Sequence, residues 1–179
     1  ITAKSSLHFF KRLFICRNIM QNIRQWFRNA VLVLASVMLL AACGNPAKSD
    51  LAAIAKVMVD TGYSPQKNQE YQLRLQQAKS EAESKAIVGE MLQYFEKVPA
   101  GLNALSMKTD EGRGIRDDLS QGMDKVIRAT KQALTLSPKD TAAMMEAQKL
   151  ALEGQQQLLQ GQNKFMVAAG REGIKLENK

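Results

Sequence analysis

Apolar residues recur at intervals of three and four positions through most of the chain. This spacing places them on one face of an α-helix. It predicts a short helix over residues 50–59 and long helices over residues 65–97, 102–136 and 138–174. The apolar stripes of the first three helices are, in order, Leu51, Ile54, Ala55 and Met58; Tyr71, Leu75, Ala78, Ala82, Ala86, Ile87, Met91, Tyr94 and Val98; and Ile115, Leu119, Met123, Val126, Thr130 and Ala133. No segment alternates between apolar and polar residues with the period of a β-strand. The pattern therefore predicts an all-α domain over residues 50–179, an elongated antiparallel bundle of three long helices plus one short N-terminal helix.

Helix boundaries are predicted from residues that cap or interrupt helices. Residues 64–65 and 137–138 each combine a capping serine with a proline suited to the first helical turn. The Val-Pro-Ala-Gly segment at residues 98–101 is expected to end the second helix. Residues 110–114 are acidic and contain two glycines, but they lack the ligand spacing of an EF-hand calcium loop. A solvated kink is therefore expected there.

The last helix contains four consecutive seven-residue repeats, which begin at Met144, Ala151, Leu158 and Phe165. The first two places of each repeat are apolar, the fourth is always Ala or Gly, and the fifth is Gln in three repeats. At 100° per residue the fifth place falls between the first and the second, so the glutamines are expected in the middle of the apolar face. The predicted partner-binding face comprises Gln148, Gly154, Gln155, Gly161 and Gln162.

Two interpretations of this face remain open. In the first, it is a seam between two helices of the domain, and its polar residues set their register, as polar core positions do in coiled coils. In the second, the Gln and Gly face is left open and receives a partner helix or peptide.

An uncharged apolar run covers the 13 residues from 30 to 42 and follows Arg24 and Arg28. Crossing the hydrocarbon core takes about 20 apolar residues, so the run is better explained as a secretory signal than as a transmembrane helix. Met20 stands at a suitable start for such a signal. Residues 1–19 are therefore expected to be an upstream extension, and residues 20–42 the signal peptide.

The apolar run ends in Leu40-Ala41-Ala42-Cys43, which resembles the lipobox of bacterial lipoproteins. The resemblance implies that the leader is removed and that Cys43 becomes an N-terminus carrying diacylglycerol and an added acyl chain such as palmitate. Residues 43–49 would then be a tether from the membrane. Gly44 is not Asp, so the resemblance implies the outer rather than the inner membrane of a Gram-negative cell. An ordinary signal with a chance cysteine and an uncleaved anchor are the alternatives.

The net charge of +8 is concentrated in the leader. Six of the 25 basic residues and none of the 17 acidic residues precede Cys43, so the remainder carries a net charge of +2. A nearly balanced domain has no strong field to attract a polyanion, and nucleic-acid binding is not expected.

The chain after Cys43 lacks residue types that several kinds of catalytic and metal site require. The single histidine, His8, and the other cysteine, Cys16, lie in the leader. This excludes histidine-dependent nucleophilic pairs and histidine-containing zinc or haem sites from the mature domain. The seven methionines after Cys43 suit Cu(I) chemically, but they occupy core-like positions and are expected to fill the core. No catalytic residue, cofactor or metal is predicted.

These observations predict a non-enzymatic lipoprotein of the cell envelope, held to the membrane through lipid on Cys43. It is expected to act as a structural or protein-interaction module with a protein partner. The alternative is an immunity or exclusion lipoprotein that binds and blocks a toxin or an invading apparatus. An enzyme that acts on envelope polymers is the least favoured class.

Overall fold

The computed structural model describes residues 45–61, 65–137 and 140–174, and its regular structure is entirely helical within these ranges. The helices are α1 (Pro46–Asp60), α2 (Pro65–Gln77), α3 (Glu81–Phe95), α4 (Lys97–Asn103), α5 (Asp110–Thr135) and α6 (Thr141–Arg171). The predicted all-α class is confirmed. Only α5 and α6 are long, so the prediction of three long helices is wrong. The predictions for the leader, Cys43 and Gly44 lie outside the described residues.

Helix α1 begins at Pro46 rather than at residue 50, because Asn45 caps it. The Asn45 Oδ1 atom accepts hydrogen bonds from the backbone N–H groups of Ala47 (3.0 Å) and Lys48 (3.2 Å). Proline at the first helical position also favours the helix start, because its ring fixes φ at a helical value. Residues 46–49, predicted as part of a tether, therefore form the first turn of α1. The predicted apolar face is confirmed, with four buried residues: Leu51, Ile54, Ala55 and Met58.

The helix predicted over residues 65–97 is interrupted at residues 78–80. Ser80 is extended, and its hydroxyl accepts a hydrogen bond from the backbone N–H of Glu83 at 3.1 Å. The Glu83 carboxylate in turn accepts a bond from the backbone N–H of Lys79 at 2.8 Å. A serine and a glutamate three positions apart that both satisfy backbone donors start a new helix.

Replacing Ser80 with Ala is expected to lower the free energy of unfolding by about 1 kcal/mol, because the Glu83 N–H loses its acceptor. The control is Ser84→Ala, because the Ser84 hydroxyl only donates to the Ser80 carbonyl within the helix and Ala is the better helix former. Urea unfolding of both variants measures the difference. Equal losses would show that Ser80 does not stabilise the start of α3.

The interruption at residues 78–80 also changes which residues face the core. Ala82 and Ala86 belong to the stripe predicted for one continuous helix, but both are exposed. Ile87 and Met91 of the same stripe are buried. All four residues lie on α3, so only the part of the stripe that begins at Ile87 follows the buried face of that helix.

The second helix ends near the predicted residue 97, because α3 stops at Phe95. In a continuous helix the Phe95 carbonyl would bond to the N–H that Pro99 lacks. The segment at residues 98–101 is itself helical, since Pro99 lies in the first turn of α4, where a missing N–H costs no hydrogen bond. A further interruption at residues 104–109 separates α4 from α5. The kink predicted for residues 110–114 is wrong, because these residues form the start of α5.

Helices α5 and α6 form an antiparallel pair. The side chain of Gln121 contacts Gln157 at 3.0 Å, while Asp118, earlier in α5, pairs with Lys164, later in α6, at 2.7 Å. The predicted stripe of α5 is buried at Ile115, Leu119, Met123, Val126 and Thr130. Helix α6 begins after Asp140 rather than after Ser137, and the Asp140 side chain makes no capping hydrogen bond.

The core lies where α1, α3 and α4 pack against α5. Its most completely buried large side chains are Leu51, Ile54, Val98, Leu102 and Ile115. Helix α6 covers another face of α5 and also contacts α1. One face of α6 is therefore part of the domain interior, and its opposite face points outward.

Candidate interaction surface

The face of α6 that packs on α5 uses the first and fourth places of the seven-residue repeat. The buried first-place residues are Ala151, Leu158 and Phe165, and the buried fourth-place residues are Ala147, Gly154, Gly161 and Ala168. This is the seam geometry of a coiled coil, in which two places per repeat face the neighbouring helix. We call it the α5–α6 seam.

Glycine brings the two backbones into direct contact in this seam. A Cβ atom on Gly154 would lie 2.8 Å from the carbonyl oxygen of Gly122, and one on Gly122 would lie 2.8 Å from the backbone nitrogen of Leu158. A Cβ atom on Gly161 would lie 3.0 Å from the backbone nitrogen of Leu119. Helix propensity disfavours glycine at these three positions, but there the two backbones are too close to leave space for a side chain.

The glutamines of the repeat do not lie in the middle of the buried face, as the sequence suggested. Gln148 is exposed, and Gln155 and Gln162 are half-buried. The predicted partner-binding face is therefore divided. Gly154 and Gly161 belong to the α5–α6 seam, whereas the three glutamines border the outer surface of α6.

The second place of the repeat forms an uncovered apolar row along α6. Its residues, with their exposed fractions, are Met145 (71%), Leu152 (50%), Leu159 (47%) and Met166 (38%). We call these four residues the outer row. The interpretation of this face as an internal seam would bury both the first and the second places, but only the first is buried, beside the fourth, and the second is turned away from the seam.

The flanks of the outer row are polar and carry little charge. On a helix, the neighbours of each residue lie three and four positions away. The residues three positions after Met145, Leu152 and Leu159 are Gln148, Gln155 and Gln162. The residues four positions after them are Lys149, Gln156 and Asn163. The outer row is therefore an apolar strip bordered by amides, with one charged neighbour, Lys149.

Asp50 is an important polar residue that the sequence analysis missed. It is buried, and its carboxylate accepts hydrogen bonds from the backbone N–H groups of Lys108 (2.9 Å) and Thr109 (2.8 Å) and from the Thr109 hydroxyl (2.7 Å). The Thr109 hydroxyl then accepts from the N–H of Gly112 and caps α5. Asp50 thus joins α1 to the start of α5, across 58 positions of sequence.

The surroundings of Asp50 act on its pKa in two directions. Burial raises the pKa of the carboxyl, while the hydrogen bonds from Lys108 and Thr109 and the charge of Lys108 lower it. The net result is a pKa below the ordinary value of 3.8. The carboxylate is therefore charged in the folded domain at neutral pH.

One end of the domain brings together the starts of α1 and α5 and the end of α6. The Asn45 side chain donates to the Glu172 carboxylate at 2.6 Å, and Arg171 pairs with Glu111. We call this region the Asn45 end. It lies next in sequence to the predicted lipid site, since only Gly44 separates Asn45 from Cys43.

Across residues 45–61, 65–137 and 140–174, no group of three or more His, Cys, Asp or Glu side chains could hold a metal ion. None of the helices described is long and apolar enough to cross a membrane.

The described part of the chain is thus a small all-helical domain with one uncovered apolar helix face. Residues 48–170 match the family described as uncharacterised lipoprotein PM1805, and the chain belongs to this family. The match covers nearly all of the helical domain and confirms the lipoprotein class that the residues before Cys43 suggest. No curated protein and no solved structure gives a significant match. The attachment of lipid to Cys43 itself stays a prediction.

Proposed function

We propose that this chain is a lipid-anchored, non-enzymatic lipoprotein of the bacterial envelope that uses the outer row of α6 to bind protein at the membrane surface. The observation that carries the proposal is the outer row itself. Single exposed apolar residues are common, but here four of them recur at one place of the repeat and lie in line along the same face of α6. The lack of any histidine after Cys43 supports a role without catalysis.

The proposed anchor would hold the Asn45 end close to the lipid headgroups. Two residues of extended chain span about 7 Å, which is the greatest separation that Gly44 allows between Cys43 and Asn45. Diacylglycerol with an added acyl chain is sufficient for stable anchoring. Gly44 after the lipidated cysteine supports the outer membrane, if the cell is Gram-negative. The domain would stand directly on the bilayer, with α6 within reach of other proteins on the same surface.

The test uses the full chain with a C-terminal tag and a photo-reactive amino acid at position 159, expressed in cells. We expect a crosslink to protein in the membrane fraction, because Leu159 lies in the outer row. Leu73 on α2 is the matched control, since both leucines are 47% exposed. The probe at position 73 is expected to give no crosslink.

The Cys43→Ala variant tests the anchor in the same cells. We expect it to leave the membrane fraction and to lose labelling by a palmitate analogue, whereas Cys16→Ala keeps both. Labelling that survives in Cys43→Ala would contradict the assigned lipid site. Equal crosslinking at positions 159 and 73, or none at 159 in the anchored protein, would contradict the proposed interaction surface.

A further inference from the structure

The outer row has the same pattern in either direction along the helix. Its residues read Met-Leu-Leu-Met at a strict seven-residue spacing, and its centre lies between Gln155 and Gln156. The flanking positions 148, 149, 155, 156, 162 and 163 are centred on the same point, and all of them except Lys149 carry amides. A helix of the same sequence that runs antiparallel therefore presents the same pattern of apolar and amide groups.

We infer that the outer row binds the outer row of a second copy of this chain, with the two α6 helices antiparallel. This inference rests on the proposed function and names the partner. In this register Met145 lies beside Met166 of the second copy, and Leu152 lies beside Leu159 of the second copy. Each methionine meets a methionine and each leucine meets a leucine, on both sides of a two-fold axis near Gln155.

The spacing of the outer row favours a helix as its occupant. Apolar residues repeated every seven positions stay aligned along a pair of helices that coil around each other with a left-handed twist. Helix α6 already uses its first and fourth places to pack on α5. The outer row repeats with the same period but has one apolar place per repeat, so it would stay aligned with another α-helix through single apolar residues set between amides.

The amides beside the outer row suit contact with an identical surface. A glutamine side chain offers both a donor and an acceptor, so two glutamines can satisfy each other. In the antiparallel arrangement Gln155 lies level with Gln156 of the second copy, Gln148 with its Asn163, and Gln162 with its Lys149. A surface of one charge sign would repel its copy, and here the polar border is almost entirely neutral.

Lys149 favours the antiparallel over the parallel direction. In a parallel pair the two copies of Lys149 would lie at the same level and repel each other. In the antiparallel pair they are separated by about 20 Å along the helices, at 1.5 Å per residue. That distance exceeds the screening length of roughly 8 Å at physiological salt.

The contact is expected to depend on the membrane. Four apolar side chains on one helix are a small patch compared with about 800 Å² per partner in a standard stable interface. Anchoring both copies in the same bilayer raises their effective concentration, which strengthens a weak contact. The Asn45 ends of the pair lie about one α6 length, roughly 46 Å, apart. Both anchors reach one membrane when the α6 helices lie along its surface.

Cysteine crosslinking in intact membranes tests the arrangement. After Cys43, whose sulfur would carry the lipid, the chain has no other thiol. Two differently tagged full-length copies are co-expressed, one with Met145→Cys and the other with Met166→Cys, and treated with a short bismaleimide. We expect a crosslinked pair. Two tagged copies that both carry Met145→Cys are expected to give none, because these positions would lie about 31 Å apart.

Two further variants complete the experiment. Gln155→Cys, near the two-fold axis, is expected to crosslink with itself. Leu73→Cys, on α2, is the exposed control and is expected to give no pair. Crosslinking of Met145→Cys with itself, without the pair between positions 145 and 166, would overturn the antiparallel arrangement.

The remaining outcomes separate this inference from the proposed function. If no cysteine pair forms while the photo-reactive probe at position 159 captures a different protein, the second copy is the wrong partner and the interaction surface stands. If neither kind of crosslink forms in the anchored protein, both the inference and the proposed function fail.

Discussion

Asp50→Ala is expected to lower the free energy of unfolding by about 3 kcal/mol or more, because buried donors lose a charged acceptor. The Asp50 carboxylate accepts from two backbone N–H groups and from the hydroxyl of Thr109. Lys108 and Thr109 precede α5, so the loss also loosens the cap of the helix on which α1, α3, α4 and α6 pack. Buried groups left without a partner are among the few causes of such large effects.

The control for Asp50 lies on the same helix. Asp60 pairs with Lys56 on the exposed surface of α1, and exposed ion pairs contribute about 0–1 kcal/mol. Asp60→Ala is therefore expected to change stability little. Guanidinium unfolding at neutral pH compares the two variants. A similar small loss from both would show that the contacts of Asp50 do not stabilise the fold.

The pH dependence of stability gives an independent test of Asp50. The pKa of its carboxyl is lower in the folded domain than its ordinary value, so its stabilising contribution is present above the ordinary pKa. That contribution is lost as the pH falls through the lower, folded-state pKa. We expect Asp50→Asn to flatten the fall in stability below pH ~4, which is the ordinary range for an aspartate. An unchanged acid profile would contradict this.

Gly154→Leu is expected to lower the free energy of unfolding by about 3 kcal/mol, because side chains forced into a packed seam strain the backbone. Even the Cβ atom would lie 2.8 Å from the Gly122 carbonyl oxygen and 2.9 Å from the Val126 Cγ2 atom. The nearest obstacle is backbone, so a change of side-chain rotamer does not relieve it. Helices α5 and α6 would have to separate.

Gly170→Leu is the matched control on the same helix. A Cβ atom there would meet nothing within 4 Å, and leucine forms helix better than glycine by up to about 1 kcal/mol. Thermal unfolding is expected to show a lower melting temperature for the variant at position 154, and an equal or higher one for the variant at position 170. Equal destabilisation at both positions would contradict the role of close backbone contact.

The end of α2 shows that the signal for a new helix can be present in a sequence while a stripe of apolar residues runs across it and predicts a continuous helix. Residues 65–97 carry a helical stripe, which predicted one continuous helix. The same segment contains Ser80 and Glu83 at the spacing of a capping box. A cap of this kind competes with helix continuation, and which one prevails depends on how each half packs. Here α2 and α3 pack on each other as separate helices.

For α6, the seven-residue repeat correctly predicted a helix with a regular seam, but the glutamine-centred face was not the face that forms this seam. On a helix the first place lies about 60° from the small fourth place, whereas the second lies about 160° away. Close backbone contact at Gly154 and Gly161 puts α5 on the side of the fourth place, so the first place is buried and the second forms the outer row.

The sequence by itself determined the helical class, the buried faces of α1 and α5 and the extent of α6, because the period of apolar residues acts within one helix. It also indicated the lipoprotein class through the residues before Cys43. Only the tertiary structure decided how Asp50 meets Thr109, which face of α6 stays uncovered and why Gly122 and Gly154 are required. These features depend on contacts between distant segments, whose distances no local periodicity specifies.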